Sequence, residues 1–302
     1  MSNQQPETLI KFLNTETAKK VLSSQTLRWS SPSLFADPFE LNHLSQLNFD
    51  PHTLLDKAIK MAESMIFSPD APKGDTPLIH VIRRWRDEER FASPQEAHDV
   101  LRELLSKVVD HRQKVIDIMM SDWRKFVRTL RVCCFTEKVD SVAAWQNYAD
   151  SHRGIAIRFN TDEHSPLENC VPVNYKAARP QISTLQSETD FILGGDKPSP
   201  QHNFEDKFSV RSPLYASEKE WRCFSTKKEQ PGIKPSNASE WFDDKKFERN
   251  DISAVYFGAN ISAKDKKEIY NLLKDKYTKS KIYQAQASST SHQLEFERIT
   301  EK

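Results

Sequence analysis

Two glutamates two residues apart, with an arginine two further on, stand in the aromatic run Tyr215-Ala-Ser-Glu218-Lys-Glu220-Trp-Arg222. On a strand, alternate side chains point the same way, so Glu218, Glu220 and Arg222 would share one face and Lys219, Trp221 and Cys223 the other. Three charges on one face suit the hydroxyls, ring nitrogens or phosphates of a ligand. The alternative is an ordinary salt-bridged strand face.

A second group is Trp145, Tyr148 and His152, followed by Gly154. Trp145 and Tyr148 are three apart and so neighbours on a helix, a platform on which a base or nicotinamide ring could stack. His152 would add a polar contact; packing of the helix on a sheet is the alternative. A third group runs from Arg28 through Ser30, Ser31 and Asp37 to Glu40. Serines after a strand with a carboxylate loop suit a ribose or an acceptor side chain. A turn whose Asp37 and Ser31 bond the local backbone would look the same in sequence.

The elements that must position these groups are legible from periodicity. Residues 9–13, 26–30, 131–135, 154–159 and 170–175 read as strands, and 16–24, opened by Thr15 as N-cap, and 141–149 as short helices. Residues 51–130 turn helical, with stripes such as Leu54, Ala58, Ile59 and Ala62, then Leu101, Leu104, Leu105 and Val108. Residues 252–257, 262–274 and 281–286 form a strand–helix–strand unit. The polar stretch 179–206, with Gly194-Gly195 and three prolines, reads as a mobile loop. The fold expected is a single α+β domain over 1–302: a mixed, mainly antiparallel sheet, a helical insert at about 45–130 and the C-terminal strand–helix–strand unit. The groups at 27–40, 145–154 and 215–222 are expected to converge on one cleft.

Composition excludes several functions. Forty-four basic residues face 43 acidic ones, so no global field draws the chain to nucleic acid or a membrane. Six glycines supply no G-x-G-x-x-G or Walker loop. Cys133, Cys134, Cys170 and Cys223 lack C-x-x-C spacing and read as reduced structural residues; the histidines lack ligand spacing, so no metal site is expected. With no apolar leader or span, a cytoplasmic location is expected.

The chain resembles the bacterial domain of unknown function 2971. The resemblance rests on Leu-x-x-Ser-Ser-Pro-x-x-Phe-x-Asp-Pro-Phe-Glu at 27–40, and on Cys-Phe-Thr-Glu leading to Trp-x-x-Tyr-Ala-x-x-His-x-Gly at 134–154. It also rests on Glu-x-Glu-Trp-Arg at 218–222 and on Tyr-Phe-Gly-Ala at 256–259. Ala36 departs from the asparagine usual before Asp37. The family implies no activity. A looser likeness of layout, to ADP-ribosyltransferases, implies one: NAD as substrate, no tightly bound cofactor, and a small-molecule nucleotide or protein acceptor as partner. Under it Glu220 holds the ribose hydroxyl and steadies the cation, and Glu218 orients or deprotonates the acceptor. Arg28 or Arg222 meets the pyrophosphate, and Tyr148 or Trp145 stacks nicotinamide. The rival expectation is a non-catalytic recognition module, a sensor or effector in defence or stress response.

Overall fold

A computed structural model describes residues 5–39, 47–162, 165–227 and 238–300. The chain forms two compact units. Unit 1 is Met1–Asn42, Thr129–Arg179 and Phe208–Lys302; unit 2 is His43–Arg128 and Pro180–Lys207. In chain order, unit 1 begins with β1 (Thr8–Leu13), α1 (Thr15–Ser24) and β2 (Thr26–Ser30). Then come α2 (Pro51–Phe67), α3 (Pro77–Asp87) and α4 (Pro94–Thr129), the last a single helix of 36 residues. Next are β3 (Leu130–Thr136), α5 (Val142–Tyr148), β4 (Ile155–Asn160), β5 (Cys170–Pro172), β6 (Asn174–Tyr175), α6 (Leu185–Ile192), α7 (Phe204–Phe208) and β7 (Val210–Arg211). The chain closes with β8 (Glu220–Thr226), β9 (Phe242–Lys246), β10 (Ile252–Phe257), α8 (Ala263–Lys276), β11 (Lys281–Ala287) and β12 (Leu294–Arg298). The class is α+β. No described helix is long and apolar enough to cross a membrane.

Unit 2 forms because its helices carry apolar stripes and start on side-chain caps. Asp50 and Thr76 accept from Thr53 and Ile79 N–H groups at the starts of α2 and α3. The polar stretch 179–206 is ordered rather than loose. A capping box between Thr184 and Ser187 opens α6, and Glu188 on that helix is buried against Arg112 of α4 at 2.7 Å. Composition hid this, because the fragment's apolar residues become a helix face only once α2 is there to meet them.

The sheet of unit 1 runs β12-β11-β10-β4-β1-β3-β2-β9, with β8 on β3 and β5 on β8. Among the described strands only the β10–β11 pairing in it is parallel, because α8 provides the crossover that a parallel pair needs. Alternation sorts the two faces: Ile155, Ile157 and Phe159 enter the core shared with α1 and α8, while Ala156 packs with Phe12 and Trp145 beneath α5. The N-cap of α1 is Asn14, not Thr15, so that helix begins one residue early.

One irregularity positions everything that follows. β1 pairs with β4 over six residues but with β3 at a single bridge, Ile10 opposite Thr136. β3 spends its other edge on β8, over seven residues. The β1–β3 seam is therefore open on either side of that bridge.

The expectation of four reduced cysteines is corrected. Cys170 and Cys223 lie directly opposite on β5 and β8 and form a disulfide, while Cys133 and Cys134 are free. Sequence spacing gave no hint of this, since 53 residues separate a pair that only strand register brings together.

Candidate functional site

The β1–β3 seam holds a pocket of about 140 Å³. Its walls come from distant parts of unit 1: Lys11 and Phe12 from β1, Cys134 and Thr136 from β3, and Tyr148 from the end of α5. Phe35 closes one side, and Arg211, Glu218 and Glu220 form the charged wall.

The two glutamates arrive by a route that differs from the strand expected. Residues Pro213–Glu218 form a 3₁₀ turn, Lys219 adopts a left-handed conformation at φ 48°, and β8 starts only at Glu220. Lys219 is thus a pivot, in a backbone region uncommon for a side-chain-bearing residue. Glu220 and Arg222 share a strand face as anticipated; Glu218 reaches the same place from the turn. Its carbonyl accepts from the Thr136 hydroxyl, which ties the turn to β3.

Arg211 joins the carboxylates. Its Nη1 lies 2.6 Å from Glu218 Oε2 and 3.0 Å from Glu220 Oε2, and its guanidinium lies over the Tyr215 ring at 3.8 Å. Arg222, with 0% of its surface exposed, completes the set. Its Nε and Nη2 donate to the two oxygens of Glu220 at 2.7 and 3.1 Å, and Nη1 donates to the Phe208 carbonyl at 2.6 Å. Burial works against the Glu220 charge, but the two arginines and the Cys134 thiol outweigh it and hold its carboxyl below the ordinary glutamate value. Burial, with Glu220 beside it, pushes the Cys134 thiol well up, so it stays protonated and donates.

Tyr148 is the polar group at the mouth. Its side is 45% exposed, and its hydroxyl donates to Glu218 at 3.1 Å while accepting from Arg211 Nη2 at 3.2 Å. Burial raises its pKa well above that of a free phenol; Arg211 opposes the shift, and the two carboxylates add to it. It is a neutral phenol at working pH.

The remaining expected site residues divide sharply. Trp145 is fully buried, its indole N–H donates to Val139 O at 2.7 Å, and Phe12 packs edge-on against it at 5.0 Å. It is core and not a stacking platform. His152 stacks on Trp145, inside a left-handed run of Asp150, Ser151 and His152, and does not line the pocket. Arg28 makes a two-pronged pair with Asp244, both bonds 2.8 Å, across the β2–β9 ladder. Ser30 pairs through its backbone in that same ladder and does not line the pocket, Ser31 bonds Ser33, and Asp37 caps the N–H of Phe39 in its own turn. Glu40 lies outside the described residues. Arg222 sits behind Glu220 rather than in the pocket wall. Of the three segments, then, each sends one or more residues to the pocket: Phe35, Tyr148, and Glu218 with Glu220.

Arg211 and Lys11 were missed. Arg211 lies on a two-residue strand in a polar stretch, and Lys11 looks like an intruder in an apolar strand. That intrusion was the available signal, since a lone lysine at a core-parity position needs a reason.

No protein-family model, no curated protein and no solved structure matches this chain.

Proposed function

We propose that unit 1 acts on a nucleotide, most concretely NAD, in the β1–β3 pocket, in the manner of an ADP-ribosyltransferase or NAD glycohydrolase. The observation that carries this reading is the Tyr148 phenol hydrogen-bonded to the Glu218 carboxylate at the mouth of a ring-sized pocket. A cavity of about 150 Å³ takes one benzene-sized ring. A nicotinamide would therefore enter and the rest of the dinucleotide would extend outward.

The C1′–nitrogen bond would break with its electron pair leaving on nicotinamide. The oxocarbenium-like ribose needs a nearby carboxylate, and the acceptor O–H or water that forms the new C1′–oxygen bond must pass its proton to a base. Glu218 is the candidate for both contacts, with Tyr148 orienting it. Glu220 takes a different role from the one expected of it: two arginines already hold its oxygens, so it fixes Arg211 and does not grip the ribose.

The test is incubation of the purified protein with NAD and a lysate, scored by mass spectrometry for free nicotinamide and ADP-ribose adducts. Release of nicotinamide by wild type and by Arg28→Ala, with loss in Glu218→Gln, is expected. Adducts would mark a transferase; their absence, a glycohydrolase. Equal turnover in Glu218→Gln would remove the assignment.

A second reading is favoured by one observation. Both Glu218 and Glu220 are already engaged by arginine, as in a binding site that is built to hold still. A recognition module would bind the same ligand and return it unchanged.

A further inference from the structure

Among the described residues Lys11 is the one lysine lining the pocket. It has the strand parity of Leu9 and Leu13, whose side chains enter the core under α1 and α8. Its ammonium instead fills the open seam, donating to the Cys134 carbonyl at 2.7 Å and lying over the Phe135 ring at 5.2 Å. No carboxylate among the described residues forms an ion pair with it. Glu220 is the nearby acid that acts on it, and Arg211 and Arg222 already neutralise that acid.

A carbonyl, the Cys133 sulfur and a ring face are partial substitutes for a counterion, and a poorly hydrated cation without a carboxylate is costly to keep. Burial lowers the Lys11 pKa, yet the Cys133 and Cys134 sulfurs and Glu220 outweigh it and leave the group above the ordinary lysine value.

We propose that the ligand of this pocket carries an anionic group, a phosphate or carboxylate, which docks on Lys11 Nζ and supplies the missing counter-charge. The inference rests on the nucleotide reading above and narrows it: Lys11 selects the charged member of any pair of otherwise equal ligands. A charge-assisted bond of this kind is worth about a ten- to hundredfold difference in affinity.

The experiment is titration calorimetry on the whole chain with two matched pairs. Nicotinamide mononucleotide against nicotinamide riboside isolates the phosphate; nicotinic acid against nicotinamide isolates a ring carboxylate. The wild type is expected to prefer the anionic member of one pair by about ten- to hundredfold, and which pair does so identifies the source of the charge. Lys11→Met, which keeps the length and apolar stem, should erase the preference, and Lys11→Arg should restore part of it. Circular dichroism of both variants separates loss of selectivity from loss of fold. If wild type binds both members equally, or Lys11→Met keeps the preference, the inference is overturned while the nucleotide reading stands. If wild type binds none of the four, both fall.

Discussion

Glu220→Gln is the perturbation that best separates a structural carboxylate from a reacting one. Gln keeps the volume and one carbonyl acceptor, but it removes the charge beside Arg222, a guanidinium with no exposed surface, and half of the anion facing Arg211. Breaking a buried pair by removing one partner costs about 3–5 kcal/mol, because the remaining charge is stranded. Both partners are nearly inaccessible, so solvent screening gives little relief. For a unit of this size each kcal/mol moves the midpoint by roughly 2–4 °C, giving a fall of about 6–20 °C. The assay is urea denaturation read by tryptophan fluorescence, with the midpoint shift at unchanged slope as the measure. Glu220→Leu with Arg222→Met should recover part of the loss, since neither charge of that pair is then left facing the other's absence. The pH dependence has a defined sign. Glu220 has a folded pKa below the ordinary glutamate value of about 4.3, so the unfolded chain binds its proton first. Its contribution is complete above that value and is lost as pH falls through it towards the folded pKa; Glu220→Gln should flatten that acid limb. A loss under about 1 kcal/mol, with the wild-type acid limb intact, would refute the account of the buried network.

Gly154 is needed for close approach: a Cβ there would meet Leu13 O at 2.1 Å and Ala149 O at 3.0 Å, both backbone atoms. Gly154→Ala should therefore cost about 2–3 kcal/mol, measured by denaturation, with the β1–β4 edge opening first in hydrogen exchange. Tyr277, pushed up to about 12 by burial, donates to Leu22 O at 2.8 Å and ties α8 to the end of α1. Tyr277→Phe should cost about 1–3 kcal/mol, most of it from the unsatisfied Leu22 carbonyl, with no change in ligand binding. Peptide mapping without reductant should recover Cys170 linked to Cys223. Reduction should lower stability by roughly 2–4 kcal/mol for a loop of this length, and a map that links Cys133 to Cys223 would contradict the assigned partner.

Much of unit 1 could be read locally. The strands at 8–13, 26–30, 130–136 and 252–257 alternate or run apolar over a few residues, and hydrophobic burial enforces that period wherever one face is covered. Helix starts were marked by side chains that cap their own backbone, as at Ser141 and Ser262. Site residues were another matter. Asp37 and Arg28 have the composition of ligand contacts and satisfy their neighbours instead, one through its own turn and the other through Asp244 on a strand over two hundred residues away. Trp145 and Tyr148, three apart on one helix, ended with opposite fates: the helix lies on the sheet at one and overhangs the pocket at the other.

By itself, then, the order of residues determined which segments are strands and helices, because period, capping and turn chemistry act within a few residues. Only tertiary structure decided that β1 and β3 meet at one bridge, that Arg211 joins both glutamates, and that Lys11 stands in the gap with no carboxylate partner among the described residues. Those outcomes depend on register and burial, which sum contacts between residues far apart in the chain, and a charge acquires its partner only when the whole sheet is in place.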